Sequence, residues 1–132
     1  MKLEQVPDVK SLNGSTDIFN YVVLHLRKQG TKSLSPDKET CTYRGNNGTM
    51  CAVGALIADD EYDPSLEGRS IYHLAIEKDL LPTSLSNRIY PNLHMLMDLQ
   101  DFHDNILEYV DGSFTEDSEI HIKELRKKWE IK

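Results

Sequence analysis

The run Met50-Cys51-Ala52-Val53-Gly54-Ala55-Leu56-Ile57-Ala58 carries no charge and no polar side chain apart from one thiol. A stretch this apolar is driven out of water, and in a folded domain only the centre can take it. It stops at Asp59-Asp60-Glu61-Tyr62-Asp63-Pro64, where the proline forbids helical continuation. Apolar residues on every side predict a helix over about 50–58, with Gly54 admitting a close backbone neighbour. Upstream, Cys41 and Tyr43 share one face of a predicted strand, and Arg44-Gly45-Asn46-Asn47-Gly48 has the composition of a tight turn. A β-hairpin over 40–50 is therefore expected to feed the central helix.

The remaining elements arrange themselves around that centre. Residues 1–14, with Pro7 and Gly14, read as an N-terminal arm, and 15–132 as a single α-rich domain. Ser15 or Thr16 caps a helix whose Ile18, Tyr21, Val22, His25 and Leu26 face inward, and Gly30 ends it after Arg27 and Lys28. Another helix is predicted from Ser70 to Asp79, closed by Leu80-Leu81-Pro82. The longest runs from Pro91 to about Val110, where Asp111-Gly112 stops it. A terminal helix begins near Thr115 and turns Ile122, Leu125 and Trp129 inward. The expected class is mainly α (α+β), with four to five helices around a central apolar helix and one small β-hairpin.

Composition narrows the function classes. A chain of 132 residues with 39% hydrophobic and 28% charged residues suits one folded domain. No segment approaches the ~20 apolar residues of a membrane span, and the N-terminus lacks the apolar core of a secretory signal. A cytoplasmic protein with no membrane partner is expected. The net charge of −7 argues against general nucleic-acid binding, which needs clustered Lys and Arg. The basic cluster Lys123 to Lys128 is explained by the negative end of a helix dipole. Cys41 falls diagonal to Cys51 across the expected hairpin, so free thiols are preferred to a disulfide.

Several constellations could carry chemistry, and each has a plainer reading. Cys51 at a helix start could be a nucleophile, with His103 or His94 as base and Asp104 or Asp101 as orienter. The plainer reading is a small buried hydrophobe. His103-Asp104 has the sequence of the metal-dependent phosphohydrolase dyad, with His73 and Asp117 as proposable partners, but the dipeptide alone is unspecific. His73 and Glu77 are spaced i, i+4 with no third ligand in view, so neither a metal nor a cofactor is expected. The carboxylates Asp59, Asp60, Glu61 and Asp63 lack the alternation of a calcium loop and read as a solvated turn or a docking surface for a basic partner. The Arg44–Gly48 turn could present backbone N–H groups and a guanidinium to an anion. His25 and His103, with Gln100 one turn before the second, lie on apolar faces and imply a buried polar network that must be satisfied.

Cys-x-Tyr-Arg-Gly at 41–45, Gly-x-x-Cys-Ala-Val-Gly-Ala-Leu-Ile at 48–57, Asp59-Asp60-x-Tyr62 and Leu99-Gln100-x-x-His103-Asp104 together resemble a family of small uncharacterised proteins of tailed bacteriophages and bacteria. The resemblance spans roughly residues 17–110. It implies an accessory role in the infected cell, hence the bacterial host cytoplasm, and brings no reaction with it. The functional expectation is an accessory protein acting by binding a host protein or a small anionic ligand, with Tyr43, Arg44, Gln100 and His103 lining the site. The alternative is a cysteine-dependent hydrolase or transferase using Cys51, His103 and Asp104. With no complete catalytic set in the sequence, binding is preferred to catalysis. Oligomeric state is not encoded in any feature of the chain.

Overall fold

Helix α1, Gly14–Gln29, begins where Asp17 reaches back to accept the Asn13 N–H at 3.0 Å. It ends at Gly30, whose left-handed φ of 69° lets its N–H close on the Leu26 carbonyl. Ile18, Phe19, Val22, Val23 and Leu26 are buried, while Tyr21 and His25 are half-buried at the edge of the inward face. In this computed structural model the described residues are 8–32, 42–45, 48–76 and 81–131. Cys41, the Asn46-Asn47 turn, Glu77 and the expected helix end at Asp79-Leu80 lie outside them.

The protein is mainly α-helical with one small antiparallel β-hairpin. After α1 come the short helices α2, Ile71–Ile76, and α3, Thr83–Ile89. Helix α4, Leu93–Asp101, passes into a π-helical turn over Phe102–Ile106, and α5, Glu116–Lys128, closes the order. α5 carries Glu116, Asp117 and Glu119 in its first turn and Arg126, Lys127 and Lys128 in its last, the charge order that a helix dipole favours. Thr115 caps it by accepting the Ser118 N–H at 3.3 Å, and Ile122 and Leu125 are buried as expected. Among the described residues no helix is long and apolar enough to cross a membrane.

Several expectations need correction. Among the described residues the two-stranded hairpin lies at 109–114, where β1, Tyr109–Val110, pairs with β2, Ser113–Phe114. Its turn residues Asp111 and Gly112 both have positive φ, 53° and 78°, the geometry that an Asp-Gly hairpin turn requires. At the expected position, 40–50, the described residues hold one antiparallel bridge, Arg44 with Met50, and a Gly45 N–H to Thr49 carbonyl bond of 2.9 Å. The long helix expected to reach Val110 ends sooner. The π-helical turn closes with Leu107 N–H on the Phe102 carbonyl at 2.8 Å, and Ser118 then takes over the Glu108 N–H at 2.9 Å.

A further correction concerns the centre. Residues 51–57 are all buried, but they form no regular α-helix; the segment turns at Ala52-Val53 and makes a single 3-10 turn over Gly54–Leu56. A close chain crossing constrains it here. A Cβ on Gly54 would lie 2.0 Å from the Tyr43 carbonyl oxygen and 3.0 Å from the Tyr43 Cα, so the two backbones touch. A buried irregular segment carries backbone polar groups that a helix would have paired internally. Here side chains pair many of them.

From α1, Gln29 accepts the Met50 N–H at 2.7 Å, and Gln29 and His25 Nε2 both donate to the Met50 carbonyl at 2.9 Å. From α4, Gln100 accepts the Val53 N–H at 3.0 Å. From α3, Arg88 donates to the Leu56 carbonyl at 2.6 Å. Arg44 serves the Ile57 carbonyl at 3.1 Å, and Glu61 accepts the Ala58 N–H at 2.9 Å. The polar residues on the inward faces of the helices therefore hold a folded apolar strip in place.

Candidate functional site

The segment 42–43 and Cys51, the 67–70 turn, and α2 and α4 leave an open cleft of about 520 Å³ between them. Tyr43, Cys51, Gln100 and Asp104 all line it, together with Glu67, Arg69, Tyr72, Met97 and Asp101. Five of the residues singled out from the sequence, Asp101 among them, are thus brought together. Two others are not. His103 is completely buried behind the cleft, and Arg44 is turned away from it.

Each wall is held by a separate local device. Glu67 accepts the N–H groups of Tyr43 and Arg44, both at 3.0 Å, and the Tyr62 hydroxyl at 2.7 Å, which fixes segment 42–45 against the 67–70 turn. The Tyr43 hydroxyl donates to the Arg69 carbonyl and ties the same two segments a second time. On α4, Gln100 accepts from Val53 N–H and donates to Asp104 at 2.9 Å, and Asp104 accepts from His103 Nδ1 at 2.9 Å. A Gln100–Asp104–His103 chain therefore runs from the apolar strip along the cleft wall to the core. The Asp104 side chain keeps 35% of its surface exposed while His103 keeps none.

Electrostatics at the floor disfavour ionisation. Burial pushes the Cys51 thiol up to about 12, the negative charge of Asp104 adds to this, and hydrogen bonding from Gly54, Val53 and Gln100 offsets only part. The Tyr43 phenol is also raised, mainly by burial and then by the surrounding Cys51, Glu67 and Asp104. The expected helix N-terminus that would lower the thiol is absent, because Cys51 leads into a turn and not an α-helix. Its sulfur accepts the Gly54 N–H at 3.3 Å.

The remaining candidates have structural occupations. Arg44 places its guanidinium on the Ile57 carbonyl, on Asp59 at 2.9 Å and over the Tyr62 ring at 4.5 Å, so the expected anion-binding role meets a cation already engaged. The acidic segment is not a uniform solvated turn. Asp59 pairs with Arg44, Asp60 with Lys10 at 2.7 Å, and Asp63 caps the Ser65 N–H at 2.8 Å. Glu61 is buried against Arg88 at 2.8 Å and also accepts from Ser84 at 2.5 Å. Burial alone would raise the Glu61 carboxyl, but hydrogen bonds from Arg88, Ser84 and Ala58 outweigh it and leave it at about 2. His73 accepts from Arg69 at 3.2 Å, and no cluster of potential metal ligands occurs among the described residues.

Sequence reasoning missed Glu67, Arg69, Tyr72 and Met97. No periodicity marks them, since the first two sit on a turn and the others matter only because α2 and α4 pack side by side. The chain matches no family model, and no curated protein or solved structure proved similar to it.

Proposed function

We propose that the protein works by binding a small molecule in the cleft between the 67–70 turn, α2 and α4. The observation that carries this is convergence: Tyr43, Cys51, Gln100 and Asp104, from three separate chain segments, line one open cavity of about 520 Å³, a size typical of small-ligand sites. Hydrogen bonds of Glu67, Tyr43 and Gln100 brace its walls. The accessory role in a bacterial cytoplasm implied by the sequence resemblance fits a binding protein of this kind. The anionic ligand expected from Arg44 loses its support with that guanidinium engaged elsewhere.

Native mass spectrometry of the purified protein, followed by fragment screening with amide chemical shifts, tests the reading. A co-purifying small mass, or fragments that shift Tyr72, Met97 and Gln100 together, is the expected result. Fragments that bind only elsewhere, with no co-purifying mass, would overturn it.

Cysteine chemistry is the second reading, favoured by the presence of Cys51 and Asp104 in one cleft. The rate of Cys51 alkylation against pH decides it. A thiol at about 12 gives a rate still climbing above pH 9. A plateau below pH 8 would instead establish a reactive thiolate and restore the nucleophile.

A further inference from the structure

We propose that the cleft selects a small organic cation with an apolar body, an aryl-alkyl amine being the simplest example; this rests on the binding role argued above. Two charged groups of the lining are already used within the protein. Glu67 spends its carboxylate on two backbone N–H groups and the Tyr62 hydroxyl. Arg69 is tied back, its Nε to the Ser65 carbonyl at 2.9 Å and its Nη1 to His73. The cation in the lining is thus directed at the protein, not at the cavity.

On the opposite wall Asp101 and Asp104 lie one turn apart on the same side of the helix. Asp101 Oδ1 accepts from Asn105 at 2.6 Å, and no described residue donates to its Oδ2. The charge of Asp104 already adds to burial in keeping Tyr43 and Cys51 protonated, which marks the floor as electronegative. An anion entering here would meet two carboxylates, whereas an ammonium group would meet the open oxygen of Asp101 beside the already engaged Asp104.

The body of the ligand is argued from the apolar rim. Tyr72 and Met97, 52% and 38% exposed, are large hydrophobic residues left open to water, and both border this cavity. They come from α2 and α4, which pack against each other, so the two side chains face the same opening. A tyrosine face suits both an aryl ring and an ammonium group, and a thioether packs well against aromatic edges. The volume suits a single ring with a short amine arm and is too small for a folded partner.

Phenethylamine and 3-phenylpropionate share a body and differ in charge, so a pair of NMR titrations separates the two requirements. The expected result is saturable shifts at Tyr72, Met97 and Asp101 with the amine, and binding of the carboxylate at least about tenfold weaker. Asp101→Asn, at an exposed helix position, should reduce that ratio to below about threefold without changing the melting temperature. Tyr72→Ala should weaken both probes, the amine more than the carboxylate. A carboxylate that binds as well as the amine at the same residues overturns the cation while leaving the binding role intact. If neither probe shifts the cleft at millimolar concentration, the proposed ligand class falls, and native mass spectrometry then decides the binding role separately.

Discussion

Two polar clusters brace the same apolar strip, and they differ in how completely they are closed. At one end Glu61 and Arg88 have side chains only 2% and 6% exposed, and both also serve the backbone of the strip, at Ala58 and Leu56. At the other end Gln100 serves Val53, but the chain continues through Asp104, which is 35% exposed on the cleft. Both ends satisfy backbone groups that an irregular buried segment would leave unpaired. Only the second carries charge beyond that task to a surface a ligand can reach. Polar residues on apolar faces therefore divide into those that complete the core and those that also open outward, and exposure of the last member of each chain tells them apart.

The comparison can be broken most severely at the closed end. Arg88→Met strands Glu61 in the core and frees the Leu56 carbonyl, and should cost about 3–5 kcal/mol in urea unfolding. Pairing it with Glu61→Leu removes the stranded charge but leaves the Leu56 carbonyl and Ala58 N–H unserved. Full recovery in that double variant would show that the pair does nothing for the strip.

Acid titration probes the same cluster with a smaller effect. Glu61 is held at about 2 in the folded protein against an ordinary value of 4.5, so its contribution is complete above pH 4.5. It is lost as pH falls from there towards 2, and amounts to about 3 kcal/mol. Glu61→Gln should flatten the stability profile across that window, as followed by unfolding midpoints. An unchanged acid slope would exclude Glu61 as its source.

At the open end, Gln100→Leu should cost about 1–3 kcal/mol by leaving the Val53 N–H unpaired. The same substitution should also weaken any cleft ligand, because Asp104 loses the Gln100 amide that orients it. A stability loss with unaltered binding would reduce this end to the role of the first. The smallest effect is expected far from both clusters, at the surface pair joining α1 to α5. Arg27 and Glu119 are bidentate at 2.5 and 2.8 Å but about half exposed, so Arg27→Ala should cost below about 1 kcal/mol.

What could be read from the sequence follows the range of the forces involved. The Gly30 stop, the start of the last helix near Thr115 and the burial of 51–57 are set by neighbours in the chain, and they were legible. The conformation of 50–58 was not, because Gln29, Gln100 and Arg88 lie far along the chain from the groups they serve. Asp111-Gly112 carried a legible turn signal, but a helix stop and a hairpin turn use the same residues. Helix α3 was hidden by a composition of Thr, Ser and Asn after Pro82, and packing of Leu85 and Ile89 overrides that weak propensity. Of the site, Tyr43, Cys51, Gln100, Asp101 and Asp104 were visible, while Glu67, Arg69, Tyr72 and Met97 needed the packed arrangement.

The contact between Gly54 and the Tyr43 carbonyl has a consequence for ancestry. No side chain, not even a methyl group, fits at 54 unless the Tyr43 backbone moves, so a library of every substitution at that position should return a single functional genotype. Cleft residues can drift as ligands change, and surface charges can be exchanged almost without penalty. The glycine at the crossing cannot. Descendants that have lost every recognisable feature of the binding site should still be traceable by a chain segment that crosses over that glycine.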